Sequence, residues 1–269
     1  MKSNVQLVSR SLMLTGALTL GVLAAGIGRS MTSSQDDTST MGGGSIASNL
    51  PPKTSVYSSQ AKTIRSGSAF SQAQIDYFME IAMGAEYNQE SAPRIRKWSG
   101  EIRIQVLGRP TSADRTTLQT VIREINELTR GSIRMQITNR NPNLTIHFAP
   151  ESRFKQLEPA YVPVNFGFFI TRWNTRGMIN YANILVASTG ITQKERSHLI
   201  REELTQSLGL MRDSYRYSDS MFYQSWTDIT RFSDLDKALI QMLYMPELKP
   251  GMTQAEALRV LTTAQARSR

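Results

Sequence analysis

The stretch His198-Leu199-Ile200-Arg201-Glu202-Glu203-Leu204-Thr205-Gln206-Ser207-Leu208-Gly209-Leu210 decides the architecture. Just before it, Thr192-Gln193-Lys194-Glu195 is a capping box, in which the threonine and glutamate side chains each satisfy an N–H left free at a helix start. A helix is therefore predicted over 193–208, with Gly209 as its stop. At 100° per residue, His198, Glu202, Thr205 and Gln206 form one polar stripe, and Ile200, Leu204 and Leu208 form the opposite apolar one. Glu203 lies beyond Gln206, beside Leu199.

Elements on either side follow the same logic. Ser71 is the expected N-cap of a helix running to about Tyr87, with Ile75, Phe78, Met79 and Ala82 on one face. Residues 101–107 alternate Ile102, Ile104 and Val106 with polar neighbours, the period of a half-buried strand. Thr111, with Asp114 three residues on, opens a second helix that carries Leu118, Val121, Ile122, Ile125 and Leu128 and stops at Gly131. Strands are predicted at 133–138 and 144–148, split by a turn at 139–143. Two more are predicted at 164–170 and 178–187, joined by a hairpin turn at 174–177. Helices over 233–244 and 253–266, the latter boxed by Thr253 and Glu256, close the chain. This order gives an α+β fold with a mixed sheet packed against long helices.

Toward the N-terminus the composition changes. Lys2 and Arg10 precede 18 uncharged residues, Ser11 to Gly28. That is the layout of a signal peptide or signal anchor over 1–30, with small residues at Ala24, Gly26 and Gly28 for a cleavage site. Cleaved or retained, it places the rest of the chain outside the cytoplasm, in the periplasm or facing it, and retention would tie it to the membrane through 11–28. Residues 31–70, rich in Ser, Thr and Gly, bury too little apolar surface to fold and read as a linker. Residues 71–266 then form one domain of about 200 residues.

The chain has no cysteine, so disulfides, thiolate metal sites, a cysteine nucleophile and a lipid-acceptor cysteine are all excluded. Its net charge of +9 is dispersed, with acids interleaved. No nucleic-acid motif is present, so with an export leader the basic surface points to anionic lipid or cell-wall polymer.

The motif helix resembles the zinc-peptidase helix H-E-x-x-H-x-x-G-L at Glu203, Gly209 and Leu210, with Glu202 and Gln206 standing where the two histidines belong. In that helix the imidazoles hold Zn²⁺ and the glutamate activates the bound water. Glu202 can still ligate a divalent metal, whereas the Gln206 carboxamide is a neutral oxygen donor matched to harder ions than zinc. A shifted register is also open, in which His198 and Glu202 hold the ion with Gln206 one turn further on. His147 and His198 are the only histidines, which excludes a three-histidine site.

Beyond the helix, Asp213-Ser214, Ser218-Asp219-Ser220-Met221-Phe222-Tyr223 and Lys249-Pro250-Gly251-Met252 complete a resemblance to the bacterial domain-of-unknown-function family 2927. The likeness extends back to the helix at Ser71. It implies an exported domain with a zincin-like, metallopeptidase-like layout and no known reaction. Ser220-Met221-Phe222-Tyr223 resembles the methionine turn under the metal of one branch of those peptidases. Arg212 stands where the family has asparagine, and the absent lipid-acceptor cysteine separates this chain from lipoprotein members.

Two functional readings follow. In the first, a tethered envelope domain has lost its catalytic histidines and works as a binding or assembly module for an envelope protein, peptide or cell-wall polymer. In the second, it is a hydrolase: either a metal-dependent peptidase with Glu203 as general base and His198, Glu202 and Gln206 at the metal, or a cell-wall enzyme pairing Glu202 with Asp213 or Asp219.

Overall fold

A computed structural model of the protein describes residues 4–8, 70–83, 93–163 and 165–267. The apolar segment 11–28 and the tract up to residue 69 lie outside them. Among the described residues no helix is long and apolar enough to cross a membrane.

The strands are β1 (Asn4–Val8), β2 (Lys97–Trp98), β3 (Gly100–Gly108), β4 (Ile133–Ile137), β5 (Leu144–Ala149), β6 (Gly167–Trp173) and β7 (Met178–Ala187). The helices are α1 (Gln72–Ala82), α2 (Ser112–Leu128), α3 (Phe154–Leu157), α4 (Gln193–Gln206), α5 (Asp234–Tyr244) and α6 (Gln254–Arg267). The sheet order is β1-β6-β7-β5-β3-β4, with β2 paired beside β7. Strands β4, β3, β5, β7 and β2 run parallel, β6 runs against them, and β1, antiparallel to β6, runs with them again. The fold is thus α+β with a mixed sheet.

One face of that sheet is buried along β3, β4 and β5, where burial alternates, and both faces are covered only around β6 and β7. Ala182, Ile184 and Val186 of β7 join the main core with Ile102, Ile104, Ile146 and residues of α1, α2, α4, α5 and α6. Leu185 and Ala187 face the other way, into a smaller cluster with Phe154, Tyr161, Phe168 and Ile170. Five of the helices start with complete capping boxes: Ser71 with Gln74, Thr111 with Asp114, Thr192 with Glu195, Ser233 with Asp236, and Thr253 with Glu256. Each satisfies two N–H groups that the helix itself cannot.

The structure departs from the sequence reading at several places: β1, which pairs with β6, falls within residues 1–30, read as a leader, and neither it nor the short α3 is among the predicted elements. Helix α1 ends at Ala82, with Met83 as C-cap donating its N–H to the Met79 carbonyl, short of Tyr87. Strand β6 begins at Gly167, preceded by Asn165, whose carbonyl and N–H bond the Tyr161 hydroxyl; residue 164, the expected start, lies outside the described residues. Strand β2 was not predicted at all. Its Lys97 is buried, donating Nζ to the carbonyls of Leu243 (2.6 Å) and Leu248 (2.8 Å) at the end of α5. Burial, with Lys249 adding repulsion, lowers that amine to about 8.

Candidate functional site on the motif helix

Helix α4 is held at both ends by side chains from elsewhere in the fold. At its start, Asp114 accepts from Gln193 Nε2 (2.7 Å) and pairs with Arg196 Nε (3.3 Å), while Arg196 Nη1 donates to the Ser188 carbonyl. Midway, Arg201 pairs with Glu124 of α2 and lies 4.4 Å over the Phe232 ring. At the C-terminal end, where helix carbonyls lose their internal partners, Trp98 Nε1 donates to Ser207 O (2.9 Å) and the Tyr244 hydroxyl to Leu208 O (3.0 Å). Gly209 then turns away with φ +121°, where an added β-carbon would stand 2.0 Å from the Arg96 carbonyl oxygen.

The predicted site residues all sit on this helix and all are enclosed. His198 and Gln206 are 1% exposed, and Glu202 and Glu203 are 0% exposed. The expected division into polar and apolar faces does not translate into wet and dry ones, since every residue from His198 to Gln206 is buried.

Each side chain has its own surroundings. His198 Nδ1 is 2.6 Å from the Ile229 carbonyl, which can only accept, so that nitrogen carries a proton. The other ring nitrogen faces Glu202 Oε2 at 3.2 Å. Thr205 turns its hydroxyl back to the Arg201 carbonyl, leaving the stripe. Gln206 donates Nε2 to Asp213 Oδ1 at 2.7 Å. Glu203 lies against β6: a β-carbon added at Gly167 would stand 2.2 Å from its Oε1 and 2.8 Å from Leu199 Cδ2, so any side chain there would displace both.

These contacts bear on metal binding. His198 and Gln206 are eight positions apart, roughly 12 Å along a helix axis, too far for both to reach one ion through bonds of about 2 Å. The ion would have to choose His198 with Glu202, or Glu202 with Gln206, and the Gln206 amide is already directed at Asp213. Among the described residues no group of three or more His, Cys, Asp or Glu side chains could hold a metal ion. His147 stands apart on β5, its imidazole lowered from the ordinary range by burial. The side chains present do not fit a zinc centre. As for the carboxylate pairings, Asp213 is buried and joined to Gln206, whereas Asp219 lies on an exposed loop.

A second buried cluster went unread in the sequence. Asp236 of α5 is 0% exposed and accepts from Ser220 Oγ (2.6 Å), Met221 N (3.1 Å) and Ser233 N (2.9 Å). Ser220 in turn accepts from the Tyr77 hydroxyl (3.1 Å) and from Phe222 N (3.1 Å). Burial pushes the Asp236 carboxyl up, opposed by these hydrogen bonds, and pushes the Tyr77 hydroxyl up as well. The network pins the Ser220-Met221-Phe222 turn between α1 and α5. Met221 is wholly buried, in the core that Leu199, Leu204 and Leu208 share.

No curated protein matches the chain. Two solved structures of myroilysin are similar to it in part. One is 13% identical, covering 56% of this chain and 82% of its own, with a TM-score of 0.36; the other is 12% identical, covering 55% and 85%, with a TM-score of 0.35. The family model described as "Protein of unknown function (DUF2927)" matches residues 71–263, from the capping serine of α1 into α6. The chain belongs to the DUF2927 family.

Proposed function

We propose that this protein works outside the cytoplasm, tethered or released by its leader, as a binding or assembly domain, with the peptidase-like helix kept as a scaffold. The observation that carries this reading is the enclosure of Glu203, the candidate general base, at 0% exposure between α4 and β6. A general base must come within hydrogen-bond reach of the water or substrate it activates. Gln206 supports the same reading, because an amide bonded to the Asp213 carboxylate replaces the second histidine of a metal helix. The charge pattern of residues 1–30 supports export, and an envelope protein, peptide or cell-wall polymer is the partner class that location offers.

Elemental analysis of the purified protein, combined with peptide and cell-wall hydrolysis assays of wild type and Glu203→Gln, tests it. The expected result is metal well below one equivalent and equal background hydrolysis in both proteins. Stoichiometric metal, together with hydrolysis that Glu203→Gln abolishes, would show a working enzyme and end the proposal.

A further inference from the structure

Among the described residues strand β4 is the last strand of the sheet, paired with β3 on one side and with no strand on the other. In a parallel pair the N–H and C=O of alternate residues point toward the partner strand, and those of the residues between point away. Thr138 N donates to the Ile104 carbonyl of β3, so residues 134 and 136 face β3 and Met135, at the centre of the strand, faces outward. Such a row of open groups is a template for pairing with another chain.

That position is already filled. Asn126, near the end of α2, accepts from Met135 N through Oδ1 (2.8 Å) and donates from Nδ2 to Met135 O (3.0 Å). These are the two reciprocal bonds that an opposing residue makes in a hydrogen-bonded antiparallel pair. One side chain therefore does the work of an incoming strand at the centre of a five-residue edge. Beside it lies a hollow of about 500 Å³ lined by Gln119, Ile122, Arg123, Asn126, Glu127 and Ile137, and Ile137 is 45% exposed.

We infer that Asn126 is a guard that closes the β4 edge against a second copy of this chain. An antiparallel β4–β4 pair about a two-fold axis through Met135 would be self-complementary, each Met135 offering the other the bonds Asn126 now makes. In that register Ile137 of each copy would stand opposite Ile133 of the other, so a charge at 137 falls within the paired edge. The inference concerns an edge apart from α4 and stands whether or not the functional proposal does.

Sedimentation of the purified protein over a range of concentrations tests it, with Asn126→Ala and with Asn126→Leu, which keeps the side-chain shape without either hydrogen bond. Both variants should self-associate at least about tenfold more tightly than wild type, and adding Ile137→Lys, a charge on the exposed edge, should return them to wild-type behaviour. Variants that fold and sediment like wild type would overturn the inference, as would association that survives Ile137→Lys. Failure of both variants to fold would overturn it equally, because Asn126 would then serve folding and not the edge.

Discussion

Asp236→Ala is expected to destabilise the domain by about 3–5 kcal/mol. Every contact to this side chain is a donor: Ser220 Oγ, Met221 N and Ser233 N all point into it at 0% exposure. Alanine leaves Ser220 Oγ and Met221 N buried, and Ser233 N partly buried, without their acceptor, and an unsatisfied buried donor costs roughly 1–3 kcal/mol. It also removes the Ser233–Asp236 capping box from α5. Asparagine should rescue only in part, since its NH₂ group must face one of the donors. Thermal unfolding should show a fall on the order of 10 °C for the alanine variant. Asp234→Ala is the control, because the 44% exposed Asp234 meets only Lys237 and should move stability by less than about 0.5 kcal/mol. Equal midpoints for Asp236→Ala and Asp234→Ala would mean that the Tyr77–Ser220–Asp236 network holds nothing.

Gly209→Ala should cost about 4 kcal/mol. Two effects add at this residue. Its φ of +121° is a conformation L side chains rarely adopt, worth roughly 1–3 kcal/mol. The new β-carbon would also stand 2.0 Å from the Arg96 carbonyl oxygen, so backbone must move, with an overpacking cost of about 1–3 kcal/mol. Movement there disturbs the neighbouring end of α4, where Trp98 and Tyr244 bond the last carbonyls. Gly131→Ala separates the two effects, because Gly131 has φ +82° but nothing within 4 Å of an added β-carbon. Urea unfolding should rank Gly209→Ala well below Gly131→Ala in midpoint. Similar midpoints would show that the Arg96 contact is not tight.

Much of the fold could be read from local signals. The Thr192–Glu195 and Thr111–Asp114 boxes fix where α4 and α2 begin, and strict alternation marks β3 because only one set of its side chains enters the core. Strand β2 escaped notice because a lysine and a tryptophan over two residues carry no period, and Lys97 reads as surface until the α5 carbonyls that receive it are in place. The bond from the Tyr161 hydroxyl to the Asn165 backbone is equally hidden, since no local pattern signals a side chain bonding backbone four residues away.

At the site, the sequence placed His198, Glu202, Glu203 and Gln206 on one helix correctly but said nothing of what covers them. Charged and polar residues are seldom fully buried unless paired, and the partners here come from distant parts of the chain. Ile229 reaches His198 from 31 positions away, and Tyr77 meets Ser220 from 143 away. No spacing rule anticipates contacts of that range, so the same letters spell an open metal helix or an enclosed scaffold.

Enclosure of the α4 carboxylates is what separates those two outcomes, and carboxyl footprinting of the native protein measures it directly. With a water-soluble carbodiimide and an amine, read by mass spectrometry, Glu202 and Glu203 should label at least about tenfold more slowly than exposed Glu101 and Glu127 until the fold is lost. Labelling of Glu203 at the rate of Glu101 in the folded protein would contradict the scaffold account, because water and substrate could then reach it.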